Sequence, residues 1–245
     1  MFKLAILLCY FVNAQESLIK VSYIATLDNK EVIERITNDS SFTTEAKKHR
    51  LRFELSKKPF HFNLFFSKNE ALFEVNTDNV EKQNLYNPTA LSAKAQRTYY
   101  SNSITKETFW ISDQITPGAF IHPEQIGWEF TSETKKIGDY LCYKAIAVMS
   151  KEQPSGNEYL EPVEAWYTKD IPTSFGISKF HGLPGLTLAL TYNRKHDGRL
   201  TFSMDKIDLN PKEEIAINKP NGTRNMTEKE YVALINRLNA ERIMR

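Results

Sequence analysis

The stretch of sequence that decides the fold is Gly182-Leu183-Pro184-Gly185-Leu186-Thr187-Leu188-Ala189-Leu190. Pro184 has a fixed backbone φ and pushes Leu183 into an extended conformation, so the segment begins as a rigid turn. Gly185 follows at the place where a type II turn requires a positive φ. Beyond the turn, one side chain in two is large and apolar, which is typical of a strand with a single buried face. That face is predicted to carry Leu186, Leu188, Leu190 and Tyr192.

Similar patterns occur on both sides of this stretch. β-branched and aromatic residues at a period of two predict antiparallel strands. Segment 140–149 is apolar on both faces, which predicts a central strand covered on both sides. The spacing of the turns favours a meander of hairpins, so the chain is expected to be mainly β, with a single curved antiparallel sheet. The predicted strands lie within 19–27, 51–56, 60–66, 71–75, 109–111, 128–131, 140–149, 163–168, 186–192 and 200–204.

Three polar segments interrupt the strand pattern. The sequence Asp28-x-x-Glu31 resembles a capping box and predicts a short helix within residues 28–49. Residues 77–96 are rich in Asn, Thr, Lys and Gln, which predicts a long surface loop. A second capping box, Thr227-x-x-Glu230, predicts a C-terminal helix. Its apolar stripe either docks on the sheet or binds a partner; the stripe consists of Tyr231, Leu234, Ile235 and Leu238.

The N-terminus has the three parts of a secretory signal peptide. A positive start is followed by a short apolar run, Leu4 to Phe11, and by the small-residue cleavage pattern Val12-Asn13-Ala14. We therefore expect residues 1–14 to be removed and the mature protein to be exported to the periplasm, the outer membrane or the medium. Cys142 is the only cysteine outside this segment, so no internal disulfide is expected.

The charge and length of the chain limit the classes of function. The formal net charge is +2, with acidic and basic residues interspersed, so no footprint for nucleic acid or anionic lipid is present. No segment after the signal peptide is apolar enough to cross a membrane. The length suits one large β domain, predicted over residues 15–210, followed by a linker and the C-terminal helix over residues 211–245.

The sequence contains no recognisable catalytic or metal-binding pattern. Nucleophile-elbow, zinc-protease and phosphate-loop motifs are absent, and the five histidines do not pair at helical metal-ligand spacing. Cys142 and His181 are the one candidate pair of nucleophile and base, but Cys142 lies within an apolar strand, where a thiol is usually an inert core residue. His181 and His196 flank a strand about 20 Å long at ~3.3 Å per residue, which separates them. No catalytic residue, metal site or cofactor is therefore predicted.

Aromatic residues concentrate around the predicted central strands. One interpretation is that they simply fill the core. The other is that they line an apolar cavity for a hydrophobic ligand on the concave face of a curved sheet. The candidate ligand-binding residues are Trp128, Tyr143, Trp166 and Tyr167.

A longer succession of motifs resembles a known protein family. It begins at Trp128-Glu129-Phe130, continues through 133–145 and 164–168, and ends with the Gly182-Leu183-Pro184-Gly185-Leu186 run. In order and spacing, residues 128–190 are similar to the core of the GLPGLI family of secreted Bacteroidetes proteins. That family has no established activity and no assigned catalytic residues, so the resemblance implies export but no site. By analogy, the Trp strand and Leu-Pro turn are similar to the half-barrels of periplasmic lipoprotein carriers.

Three classes of function are compatible with the sequence. The first is a non-enzymatic cell-envelope protein that binds a hydrophobic ligand or an outer-membrane protein partner. The second is a secreted hydrolase or metal-dependent enzyme, which would need at least three polar or ionisable side chains in one cleft. A purely structural partner subunit, with an exposed apolar patch near the terminal helix, is a third hypothesis.

Overall fold

A computed structural model describes residues 18–76, 85–112, 118–148, 162–194, 196–212 and 216–243. Within these ranges the chain forms twelve strands and four helices. The strands are β1 (Ile19–Asp28), β2 (Phe60–Phe66), β3 (Glu70–Val75), β4 (Tyr99–Asn102), β5 (Glu107–Ser112), β6 (Ala119–His122), β7 (Gly127–Ile137), β8 (Tyr140–Val148), β9 (Val163–Thr168), β10 (Leu186–Arg194), β11 (Gly198–Asp208) and β12 (Arg224–Thr227). The helices are α1 (Lys30–Asn38), α2 (Thr44–Leu55), α3 (Pro88–Ser92) and α4 (Glu228–Ile243).

All twelve strands belong to one sheet, in the order β12-β6-β5-β4-β3-β2-β1-β11-β10-β9-β8-β7. Two antiparallel meanders, β1–β6 and β7–β11, are joined where β11 pairs with β1 in the middle. Only the β12–β6 pair is parallel among the strand pairs described. The sheet is not closed, which agrees with a half-barrel. The prediction of a mainly β fold with one curved sheet, a helix in the N-terminal half and a C-terminal helix is confirmed.

One face of this sheet holds the hydrophobic core. The register aligns Leu190, Phe202, Ala25 and Phe60 in a single row across four neighbouring strands, and all four are fully buried. We call the face that carries this row the inner face and the opposite one the outer face. Since side chains alternate between faces, this row fixes which face each strand residue occupies.

Tyr23 sits at the centre of the inner face. Its hydroxyl donates a hydrogen bond of 2.7 Å to the carbonyl of Thr187, beside an irregularity between Thr187 and Ala189 where β10 slips against β9. A bulge leaves backbone groups unpaired in the ladder, and the phenol satisfies one of them. Complete burial raises the pKa of Tyr23, so the phenol stays protonated and continues to donate.

The prediction of a strand over 51–56 is wrong, because residues 51–55 belong to α2 and Ser56 is its C-cap. Thr43 caps that helix by accepting a hydrogen bond from the Ala46 amide, and good helix formers follow. The helix predicted within residues 28–49 is confirmed as α1, but its predicted capping box is wrong. The helix begins after Asn29, whose side-chain amide instead donates to the Glu54 carboxylate at 2.7 Å and so joins α1 to α2.

The predicted surface loop over 77–96 is wrong for its second half, while residues 77–84 lie outside the described residues. Asn87 caps the short helix α3 by accepting a hydrogen bond from the Ala90 amide. Helix α3 packs against β1, and Ala90, Ala93 and Ala95 are buried in the core. A compositionally polar segment therefore contributes core residues, because its small side chains fit closely against the sheet.

Strand β8 is not the doubly covered central strand that its composition predicts. It lies next to β7 at one edge of the sheet, and Leu141 is exposed on it. Met149 lies outside the described residues. The prediction of a single meander is also wrong, because the chain passes from β6, near one edge of the sheet, to β7 at the other edge.

The C-terminal capping box is confirmed. The Glu230 carboxylate accepts a hydrogen bond of 2.8 Å from the Thr227 amide, and the Glu230 amide donates to the Thr227 hydroxyl. The stripe packs on the core through Tyr231, Leu234 and Ile235, in agreement with docking on the sheet. Strand β12, which the sequence did not predict, precedes this helix and extends the sheet beyond β6.

Candidate functional site

The segment between β9 and β10, residues 169–185, crosses the inner face, and we call it the strap. Its two ends are held together by backbone hydrogen bonds. The Gly182 amide donates to the Ser174 carbonyl at 2.7 Å, and the Leu186 amide donates to the Ile171 carbonyl at 3.0 Å. The Gly-Leu-Pro-Gly motif is thus the closing end of this wide loop.

The two glycines of the motif have different roles. Gly182 adopts a φ of +94°, a backbone conformation that residues other than glycine rarely adopt. Gly185 does not have the positive φ predicted for it. A Cβ on Gly185 would lie 1.9 Å from the Thr168 carbonyl oxygen, so glycine is required there for close approach of two backbone segments. The type II turn at Pro184-Gly185 is therefore corrected to a close crossing of the strap over the end of β9.

The strap closes the inner face with its own apolar side chains. Phe175 lies against Phe66 with ring centroids 6.3 Å apart, and Phe180 lies against Tyr192 at 5.4 Å. Ile177, between them, is fully buried. Because protein interiors pack densely, the space that a hydrophobic ligand would occupy in the middle of the inner face is taken by these residues.

The four candidate ligand-binding residues lie on the neighbouring strands β7, β8 and β9 but not on one surface. Tyr143 and Tyr167 are cross-strand partners on the inner face, with ring centroids 5.9 Å apart. Ala165 pairs with Leu190 and therefore lies on the inner face. Its neighbour Trp166, which pairs with Lys144 and Ala189, lies on the outer face. Trp128 lies on the inner face, where its indole donates a hydrogen bond of 2.9 Å to the His181 carbonyl and so ties edge strand β7 to the strap.

Trp166 is surrounded by charged residues on the outer face. The Lys135 ammonium lies 4.0 Å from the centre of its ring, and Lys144 lies at 6.0 Å. Lys144 also forms ion pairs with Glu133 at 3.0 Å and Glu164 at 3.5 Å. The hydrogen bond to Glu133 is the main cause that raises the pKa of Lys144. This arrangement is a surface ion-pair cluster with an aromatic centre.

Phe130 is a candidate that the sequence did not single out. It lies on β7 with 59% of its surface exposed, and its ring centroid is 6.1 Å from that of Tyr167. Together with Tyr143 it extends the apolar surface of the inner face to the edge of the sheet. We call Phe130, Tyr143 and Tyr167 the edge patch. The alternation of Trp128 and Phe130 indicated the face, but the exposed edge position depends on strand order, which local sequence does not encode.

The candidate nucleophile and base are not coupled. Cys142 is fully buried, burial raises the pKa of its thiol, and its sulfur contacts the Tyr140 carbonyl at 3.7 Å. Burial lowers the pKa of His181, and in the described structure no hydrogen bond joins its ring to Cys142. No group of three or more His, Cys, Asp or Glu residues within the described ranges could hold a metal ion.

Two surface depressions have linings that are polar and apolar in nearly equal parts. One, of about 320 Å³, is lined by residues from Lys20 and Ser22 on β1 and from the end of β11. The other, of about 470 Å³, lies between β12 and α4 and includes Arg224, Glu230 and Arg237. Neither is lined by any candidate ligand-binding residue.

The fold and strap define an open, mainly β half-barrel whose inner face is closed by one loop. Residues 155–189, which include β9, the strap and the start of β10, match a family model described as a protein of unknown function (Porph_ging). This is the GLPGLI family, and the match supports the resemblance found in the sequence. No curated protein matches the chain.

Solved structures share the fold over most of the chain. PNGF-II, in its P21 and C2 crystal forms, matches with TM-scores of 0.52 and 0.51 at 14% sequence identity. The matches cover 89% of this chain but only 33% and 32% of the PNGF-II chain, so this chain spans about a third of that length. At this identity the likeness shows the fold alone. Within the described ranges, no helix combines the length and apolar character needed to cross a membrane.

Proposed function

We propose that this chain is an exported cell-envelope protein that acts without catalysis, by binding a membrane-protein partner along the edge strand β7. The observation that carries the proposal is the sheet edge at β7, which has no partner on its second side among the strands that the structure describes. Strand β7 is eleven residues long, pairs with β8 on one side, and ends the strand order of the sheet. An unpaired edge offers backbone donors and acceptors to an extended segment of another protein.

The side chains of β7 add specificity to this edge. On the inner face the edge patch offers Phe130 as an exposed apolar anchor beside Tyr167. Flanking charges, Glu129, Lys135 and Lys136, and the irregularity between Phe130 and Thr134 disfavour indiscriminate pairing of edges. A partner strand therefore needs an apolar residue opposite Phe130 and complementary charges beside it.

Export is part of the same proposal. The signal-peptide pattern of residues 1–14, which lie outside the described residues, supports cleavage near Ala14 and a location in the periplasm, at the outer membrane or outside the cell. A protein partner is favoured over a hydrophobic ligand because the strap occupies the middle of the inner face.

Site-specific photo-crosslinking in the native host tests the proposal. A photoreactive residue at position 130 is expected to give a discrete protein adduct from envelope fractions. The matched control is position 104, because Ile104 is a comparably exposed apolar residue (68%) in the turn between β4 and β5. An adduct equally strong at position 104, or a lipid adduct at position 130, would contradict a protein partner at β7.

A further inference from the structure

Four basic side chains from three separate segments of the chain meet near the N-terminus of α4. Lys94 and Arg97 follow α3, Lys179 lies on the strap, and Arg194 ends β10. We call these four residues the basic cluster. Two carboxylates face them, Glu228 at the start of α4 and Asp197 in the turn after β10. Among the residues that the structure describes, four cations against these two anions leave a formal surplus of +2 in a largely buried region.

The two carboxylates are already engaged. Glu228 accepts from Lys179 at 3.3 Å and lies 3.6 Å from the Arg97 guanidinium. Asp197 pairs with Arg194 at 3.0 Å, and Arg194 also donates to the Ser92 carbonyl at 3.0 Å. Arg97, Lys179, Arg194 and Glu228 all expose only a small part of their side chains. Charges in such surroundings are weakly screened by solvent, so the repulsion among the surplus positive charges is strong.

Lys94 carries the uncompensated charge. No carboxylate in the described structure lies within ion-pair distance of its ammonium group, although Arg194 and Arg97 are close enough to repel it. Burial, followed by this repulsion, lowers the pKa of Lys94 to about 8. Its backbone is also in the left-handed region, with a φ of 56°. A lysine in this conformation, among like charges, is costly for folding alone.

A second unpaired donor lies in the same place. The Arg97 guanidinium stacks on Trp110 at 3.7 Å from the ring centre, and the buried indole N–H of Trp110 has no hydrogen-bond partner in the described structure. Stacking holds the guanidinium plane in place, which suits planar recognition of an oxyanion. Buried donors without partners are rare in folded proteins, so an acceptor is expected nearby.

We propose that the basic cluster is a binding site for a small oxyanion, with Lys94 and Arg97 as its principal ligands. The anion compensates the surplus charge and accepts hydrogen bonds from the Lys94 ammonium and the Arg97 guanidinium. The inference goes beyond the proposed function and does not depend on it, because it concerns a different part of the molecule from β7.

Calorimetric titration of the mature protein at pH 7 tests this site, with inorganic phosphate, sulfate and acetate as separate probes at constant ionic strength. The variant Lys94→Asn removes the ammonium group, while asparagine tolerates the left-handed backbone. The matched control is Lys106→Asn, because Lys106 has a φ of 58° and lies on an exposed turn. Loss of one charge-assisted hydrogen bond is expected to weaken phosphate binding by about tenfold in Lys94→Asn and to leave Lys106→Asn unchanged.

The three probes separate the sources of the anion. Preference for phosphate and sulfate supports a tetrahedral oxyanion, and preference for acetate supports a carboxylate ligand at the same residues. The proposal is overturned if none of the three probes binds, or if Lys94→Asn, shown by circular dichroism to be folded, binds as tightly as the unmodified protein. Equal loss of binding in Lys106→Asn would also contradict it, since the effect would then be a general one of net charge.

Discussion

Gly185 shows how a single residue holds the strap in place. Its missing side chain lets the backbone of the strap pass directly over the Thr168 carbonyl at the end of β9. The sequence indicated that glycine matters here but gave the wrong reason, a positive φ. A close approach between two backbone segments leaves no pattern in the local sequence. The neighbouring Pro184, in contrast, is a recognisable signal for a turn.

Replacement of Gly185 by alanine is expected to be strongly destabilising. The new Cβ would overlap the Thr168 carbonyl oxygen, so the strap or β9 must shift, at a cost of about 3 kcal/mol or more in the free energy of unfolding. Gly127→Ala is the matched control, since no atom lies within 4 Å of a Cβ there. Urea denaturation of both variants measures the difference, and equal stability of the two would refute the close crossing.

Trp128 is expected to act as a structural anchor of the strap. Trp128→Phe keeps an aromatic ring packed against the core but removes the hydrogen bond to the His181 carbonyl, which should lower the free energy of unfolding by about 1 kcal/mol. Trp166→Phe is the comparison, because Trp166 lies on the outer face away from the strap. Faster proteolysis of the strap in Trp128→Phe alone is the expected result, while similar behaviour of both variants would argue against an anchor.

At the scale of elements, strands with one apolar face were predictable and the polar segments were less so. The alternation is clear in β1, β9 and most of β10, where buried residues on the inner face alternate with more exposed ones. Helix α2 was missed because Leu51, Phe53 and Leu55 mimic a period of two within a helix. Helix α3 was missed because its residues are small. The basic cluster was missed because its charges come from three separate segments of the chain.

The capping box of α4 yields a prediction for one element. Thr227→Ala removes the hydroxyl that accepts from the Glu230 amide, which should cost about 1 kcal/mol of stability. The same substitution at Thr37, where the hydroxyl bonds to the Ile33 carbonyl inside α1, should be neutral or slightly stabilising. Chemical denaturation followed by circular dichroism checks both, and a loss at Thr37 as large as that at Thr227 would contradict the cap.

At the scale of the whole molecule, strand order was beyond prediction from local sequence. Pairing of β11 with β1 and the placement of β7 at an edge depend on contacts between residues more than 100 positions apart. The same long-range packing creates both the edge patch and the basic cluster. The class of fold could therefore be predicted, but the places where function is proposed could not.

The basic cluster makes stability depend on alkaline pH. The unfolded chain holds the Lys94 proton up to a pKa of 10.5, whereas the folded protein releases it near 8. Folding thus releases a proton between these values, so the Lys94 contribution to stability increases as the pH rises from 8 to 10. The stability of Lys94→Asn relative to the unmodified protein should fall over this range, as measured by urea denaturation at several pH values without added oxyanion. A constant difference would contradict the pKa assigned to Lys94.

The strap is part of the core of an open half-barrel. Hydrogen–deuterium exchange of the unmodified protein tests this most directly through the amides of Gly182 and Leu186, which donate to Ser174 and Ile171. We predict that both exchange as slowly as the amides of β10, since strap and sheet open together. Rapid exchange of both amides while β10 stays protected would show instead that the strap is a mobile flap over an accessible inner face.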